Sequence, residues 1–211
     1  MSFLDDLVSR YPELMVCKED IQKVFDIIKD SYINCGKLLI AGNGGSASDS
    51  DHIVGELMKG FILERKVPVE FVNKLKEIDG ESAEHLSKCL QGSLPAISLM
   101  NHNALNTAFL NDVDGLLVFA QQVYGYGNKQ DVFMGISTSG NSKNVLNAAI
   151  VAKAKGMKVV ALTGKDGGKL ARLADVSIIV PETETFKIQE LHLPVYHCLC
   201  LMLENYFFGN E

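Results

Sequence analysis

His52 and Glu56 stand four residues apart, and Gln189 and His197 stand eight apart, in two segments with helical patterning. On an α-helix the first spacing puts both side chains on one face, and the second separates its pair by only about 80° of rotation. A carboxylate and an imidazole held near one substrate are a workable proton-transfer pair, one serving as base and the other as acid. Each pair also has a plainer reading. A lone His-x-x-x-Glu can be a surface helix pair, and a histidine in an apolar stripe can be a hydrogen-bonded core residue. Pro194, between Gln189 and His197, either kinks its helix or marks a late start.

Two loops of small residues offer a place for an anion. An apolar run at 37–41 leads into Gly42, Asn43, Gly44, Gly45 and Ser46; another at 132–136 leads into Ser137, Thr138, Ser139, Gly140, Asn141 and Ser142. Glycines let the backbone approach a ligand, hydroxyls donate hydrogen bonds, and a helix N-terminus carries about half a positive charge. The first loop does not complete G-x-G-x-x-G, because Ala47 holds the sixth position and no acidic residue ends a second strand about 20 residues on. A Walker A loop is also absent, so no nucleotide cofactor is expected. Ser137, Thr138, Ser139 and Ser142 suit one phosphate of a small molecule better. The plain alternative makes Ser142 the cap of a helix running through Val145, Leu146 and Ala149. A third loop, residues 163–168, reads most simply as a glycine-rich strand exit.

These loops need strands behind them. Apolar runs at 37–41, 94–100, 131–137, 157–163 and 176–180 alternate with helix-patterned segments, and their consecutive Val, Ile and Leu residues suit strands buried on both faces. The alternation predicts a parallel α/β sandwich, in which ligands bind outside the strand C-termini where strand order reverses. Residues 3–34 predict helices ahead of the first strand: Leu4, Leu7, Tyr11 and Leu14, then Ile21, Val24, Phe25, Ile28 and Tyr32 after a break near Cys17. Residues 60–93 are the least regular stretch, with Pro68, Gly80 and a helix predicted over about 81–90, and a crossover of this length suggests an excursion beyond the core.

Composition narrows the partners. With 211 residues, 47% hydrophobic and 22% charged, the chain fits one globular unit, residues 1–211. A net charge of −6 and the lack of a basic run argue against nucleic acid. Five cysteines without a C-x-x-C pair suit reduced thiols rather than a disulfide framework. Neither a leader-like N-terminus nor an apolar window of membrane-span length is present, so a cytoplasmic location away from membranes is expected.

Taken in order, Gly42 to Ser46 with Asp49, His52 and Glu56, then Asn111-Asp112, Ser137 to Ser142, Leu162-Thr163-Gly164, and Thr185 with Ile188 to His192 resemble the sugar isomerase (SIS) domain proteins of the phosphoheptose isomerase type. The resemblance runs from about residue 20 to near the C-terminus. It implies a three-layer, flavodoxin-like SIS fold with a five-stranded parallel sheet, N-terminal helices (1–35) used in homotetramer assembly, and sites between subunits. It also implies conversion of sedoheptulose 7-phosphate to an aldoheptose 7-phosphate through an enediol. On the matching positions, Glu56 and His197 transfer protons. Ser46, Ser137, Thr138, Ser139 and Ser142 hold phosphate, with Asn43, Gly44, Asn111, Asp112 and Gln189 among the substrate contacts. Some relatives bind zinc at positions matching His52, Glu56, Gln189 and His197.

Two features sit apart from this pattern. The family commonly carries a phosphate-binding arginine where this chain has Gly60, so the phosphate cation is Lys59, Arg65 or another basic residue, or is missing. Some SIS proteins are non-catalytic binding modules, one of them associated with the bacterial replication initiator. Retention of Glu56, Gln189 and His197 together favours an enzyme, because a binder needs neither base nor acid.

Overall fold

The structure, a computed structural model, describes residues 2–209. Five parallel strands, β1 (Leu38–Ala41), β2 (Ala96–Ser98), β3 (Val132–Ser137), β4 (Lys158–Thr163) and β5 (Val176–Ile179), form one sheet in the order β2-β1-β3-β4-β5. All five fall within the apolar runs of the sequence. Those runs lack alternation because both sheet faces are covered. Leu38, Ile40, Val132, Met134 and Ile136 pack into one core layer, while Leu39, Ala41, Phe133, Val159 and Ala161 pack into the other.

The first layer is built by α1 (Phe3–Arg10), α2 (Lys18–Ile33), α3 (Gly45–Met58) and α10 (Thr185–Phe208). α2 buries Ile21, Val24, Phe25, Ile28 and Tyr32, the stripe visible in the sequence. The break before it is a 3-10 turn over Pro12–Cys17 that starts with proline, whose missing N–H costs nothing at a helix start. α7 (Val118–Tyr126), α8 (Lys143–Ala154) and the short α9 (Gly168–Leu173) cover the opposite face. α10 runs 24 residues with the buried Pro194 inside it, so the proline does not mark a late start.

The long crossover contains two helices, α4 (Val69–Ile78) and α5 (Gly80–Cys89), where the sequence predicted one. Asp79 separates them by accepting hydrogen bonds from the amides of Glu81 and Ser82, capping α5. α4 buries none of its residues, and Val69 and Ile78 are 70% and 83% exposed. α6 (Asn103–Asp112), after β2, likewise buries none.

Candidate active site

β1 lies between β2 and β3, so the chain leaves it toward one sheet edge and returns on its other side. A crevice therefore opens at the C-termini of β1 and β3, and the two small-residue loops flank it. Asn43 of the first loop and Asn144 of α8 exchange reciprocal side-chain hydrogen bonds of 3.0 and 2.8 Å across it. Asn144 was not among the sequence candidates, since a single asparagine in a first helical turn carries no spacing signature.

In the second loop the Ser137 and Ser142 hydroxyls lie 3.0 Å apart. Ser142 occupies the N-cap position of α8 yet makes no capping bond with its side chain, so the plain capping reading fails. Thr138, Ser139 and Ser142 are partly exposed, whereas Ser46 is buried beneath the first loop. Gly44 has a φ of 56°, a conformation glycine adopts without strain. Gly140 has a φ of 61°, and a Cβ there would run into the Gly167 carbonyl. The third loop is thus more than a strand exit. Leu170 N donates to Gly140 O at 2.9 Å, Lys169 N to Asn141 Oδ1 at 3.2 Å, and Gly164 N to Thr138 O at 3.2 Å, bracing the serine loop from behind.

α3 and α10 pack side by side in the same direction. The Gln189 amide covers Gly45, Tyr196 meets Asp49 and His52, and Glu204 meets the residues just after α3. His52 Nε2 lies 3.2 Å from Glu56 Oε1, and the His52 and His197 rings stand edge to face with centroids 5.0 Å apart. His52 thus bridges the two proton-transfer candidates. Glu56 is only 13% exposed, which no ordinary surface pair would require, and Lys59 Nζ stands 3.4 Å from its second oxygen. The Phe61 ring closes the group, 5.4 Å from His197. Burial lowers the His197 pKa, the neighbouring His52 lowers it further, and Glu56 opposes both. His197 Nε2 is buried without a hydrogen-bond partner.

Other candidates stand apart. Gln189 is eight residues from His197, a rise of about 12 Å along α10, and belongs with the first loop. Asn111 and Asp112 are exposed at the end of α6 and pair with each other at 2.7 Å. Arg65 is 1% exposed and points away from solvent: Nε meets Glu204 Oε1 at 2.8 Å, and its other nitrogens donate to the carbonyls of Leu57 and Glu56 at 2.7 and 2.9 Å. Burial therefore removes it as a phosphate cation, whereas Lys59 is exposed beside Glu56. Among the described residues, no three His, Cys, Asp or Glu side chains form a ready metal cage. The donor types at His52, Glu56 and His197 nonetheless suit zinc, and the unpartnered His197 Nε2 is a free ligand atom.

A doubly wound parallel sheet with a braced serine loop at its switch point defines the class of protein, and residues 86–164 match the family model described as the SIS domain. That match contains the serine loop but neither α3 nor α10, which the full-length relatives do cover. The chain is 40% identical to the phosphoheptose isomerase of Helicobacter pylori (strain P12), over 97% of both chains. It is 37% identical to that of Sulfurimonas denitrificans, over 90% of this chain and 84% of the other. Among solved structures, a phosphoheptose isomerase from Francisella tularensis aligns with a TM-score of 0.73 and 30% identity, over 97% of this chain and 100% of that one. The chain belongs to the phosphoheptose isomerase family.

Proposed function

We propose that this protein is an aldose–ketose isomerase that converts sedoheptulose 7-phosphate to D-glycero-D-manno-heptose 7-phosphate through an enediol. The observation that carries this reading is the cluster of Glu56, His52 and His197, 3.2 Å and 5.0 Å apart as described, in a chain that also keeps the serine loop. The Glu56 carboxylate takes a proton from C1 of the ketose, and the C–H electrons become the C1–C2 double bond of the enediol. His197 moves a proton between the two enediol oxygens. Return of a proton from Glu56 to C2 leaves C1 oxidised to the aldehyde and C2 reduced, with no outside oxidant. Burial favours neutral His197, a state able both to accept and to return that proton. Lys59 supplies the cation that the family carries at the Gly60 position.

Sites shared between subunits belong to the same proposal. Gly45 and Glu56 are separated by a rise of about 16 Å along α3, which sets the two small-residue loops at the far end of that helix from the base. One copy's serine loop serving another copy's Glu56 and His197 would join the two, and a homotetramer assembled through the N-terminal helices supplies such pairs. Zinc held by His52, Glu56 and His197 would polarise the substrate oxygens; Gln189, the fourth donor of the resemblance, stands about 12 Å from His197 along α10 and would have to come from another copy. Five free cysteines suit the cytoplasmic setting of the same proposal.

The test is a panel of ketose phosphates in deuterated water followed by NMR. Deuterium should enter C1 or C2 of sedoheptulose 7-phosphate with the wild type and not with Glu56→Gln. Absence of exchange with every sugar phosphate overturns the enzyme reading and leaves the binding module.

A further inference from the structure

Asp49 and Tyr196 take no part in the proton transfers described above, yet they stand directly behind His52. The Tyr196 hydroxyl donates to Asp49 Oδ1 at 3.3 Å, and the same oxygen lies 3.0 Å from His52 Nδ1. A phenol has a single proton to give. Were that proton turned toward His52, the Asp49 carboxylate would lose it from Oδ1 while Oδ2 is already buried without a partner. Burial raises the Asp49 pKa and the Tyr196 hydrogen bond opposes it; for the ionised carboxylate, being left undonated is expensive, so the phenol proton belongs to Asp49. The Tyr196 oxygen is then an acceptor, and the hydrogen between it and the imidazole must sit on Nδ1.

We propose that Tyr196 and Asp49 are positioning residues that lock neutral His52 as its Nδ1–H tautomer, so that the Nε2 lone pair faces the cluster of Glu56 and His197. The ring of Tyr196 is itself fixed: the residue is 2% exposed, and its ring stands edge to face against His52 at 5.5 Å and against His197 at 5.0 Å. Burial also raises its pKa, with Asp49 adding to the effect, which keeps the hydroxyl protonated as the chain requires. At the other end, the Nε2 lone pair would face Glu56 Oε1 at 3.2 Å, which Glu56 can bear because Lys59 Nζ stands 3.4 Å from its second oxygen, whereas Asp49 has only the phenol. Two acceptors at that distance define a place for an electrophile between them, either a proton or a metal cation. An outer carboxylate that fixes a histidine tautomer through a hydrogen bond is the arrangement that sharpens a ring nitrogen for such a role. The opposite tautomer would put an N–H where the ligand atom is needed. The effect on turnover rests on the isomerase reading above; the tautomer itself does not.

The deciding measurement is nitrogen NMR of histidine-labelled protein, free of metal and substrate, at a pH where His52 is neutral, with its signals assigned by their loss in His52→Asn. The expected result is a protonated Nδ1 and an unprotonated Nε2 in the wild type, with Tyr196→Phe shifting the balance toward Nε2–H while circular dichroism stays close to wild type and Tm falls, because Asp49 loses its donor. Zinc affinity, read by competition with a chromophoric chelator, should fall about 10- to 100-fold in the same variant. Asp49→Asn provides a second arm should Tyr196→Phe not fold: an amide that donates to the phenol oxygen turns the phenol proton toward His52 and favours Nε2–H. A wild-type His52 found as Nε2–H, or an Nδ1–H tautomer unchanged in both variants, overturns the proposal. Failure of deuterium exchange with the tautomer intact would instead count against the isomerase reading alone.

Discussion

Two basic residues flank the turn that holds Gly60, and burial separates their roles. Lys59 is exposed beside Glu56, whereas Arg65 is spent inside the protein on Glu204 and two carbonyls. A point mutation cannot restore the arginine of the relatives, because a Cβ on Gly60 would meet the Leu63 carbonyl at 2.5 Å. Lys59→Ala is expected to raise KM for the sugar phosphate about tenfold, the loss of one charge-assisted contact, with Tm nearly unchanged. Gly60→Arg should lower Tm without improving KM; steady-state kinetics and thermal melts check both. His192 makes a different prediction. It is fully buried, its Nε2 lies 3.2 Å from the Thr163 carbonyl, and burial lowers its pKa to about 4, the carbonyl opposing. Between pH 6.5 and about 4 the unfolded chain takes up a proton that the folded chain refuses. Stability therefore falls as pH drops through that window, by about 3 kcal/mol in all. Urea unfolding from pH 7 to 4.5 should show this slope in the wild type and a flatter one in His192→Gln.

The working elements are α3 and α10, and one buried carboxylate fixes how they meet. Glu204 accepts the amides of Phe61, Ile62 and Leu63 at 2.7, 2.9 and 3.2 Å as well as Arg65, tying the turn after α3 to α10. Both side chains of this ion pair are 0% exposed, so Glu204→Gln, which removes one partner's charge, is expected to cost about 3–5 kcal/mol in denaturant unfolding. The serine loop depends on its brace. Gly140→Ala forces a positive φ on alanine and pushes against the Gly167 carbonyl, so it should destabilise the chain by more than about 1 kcal/mol and abolish sugar-phosphate binding in a calorimetric titration. Much at this scale was legible beforehand. Strands show as unbroken Val, Ile and Leu runs because both faces are covered, and α2 shows as a stripe because only one is. α4 was missed although Val69, Val72, Leu75 and Ile78 recur at helical spacing; that stripe was legible in the sequence, but in the structure it buries none of its residues.

At the scale of the whole molecule, the open question is how many chains build one site. Our reading predicts complementation: mixing Glu56→Gln subunits with Ser139→Ala/Ser142→Ala subunits under conditions of exchange should regain part of the wild-type rate, since one composite site receives both intact halves. Either variant alone should stay near background, and a mixture no better than its components would show that each site is built within one chain. The sequence by itself determined the layers, the five strands and the two loops at their ends, because burial on both faces and glycine in tight turns leave local signatures. It also carried Glu56 and His197 as candidates, through helical spacing and through likeness to a family. Only the tertiary structure decided which neighbours these residues keep. It put His52 between Glu56 and His197, took Arg65 out of the running by burying it, gave Asn144 to the crevice, and separated Gln189 from His197 along a continuous helix. Those outcomes depend on how α3 lies against α10 and how the third loop meets the second, contacts between residues more than a hundred positions apart or on different strands, for which no local pattern in the chain exists.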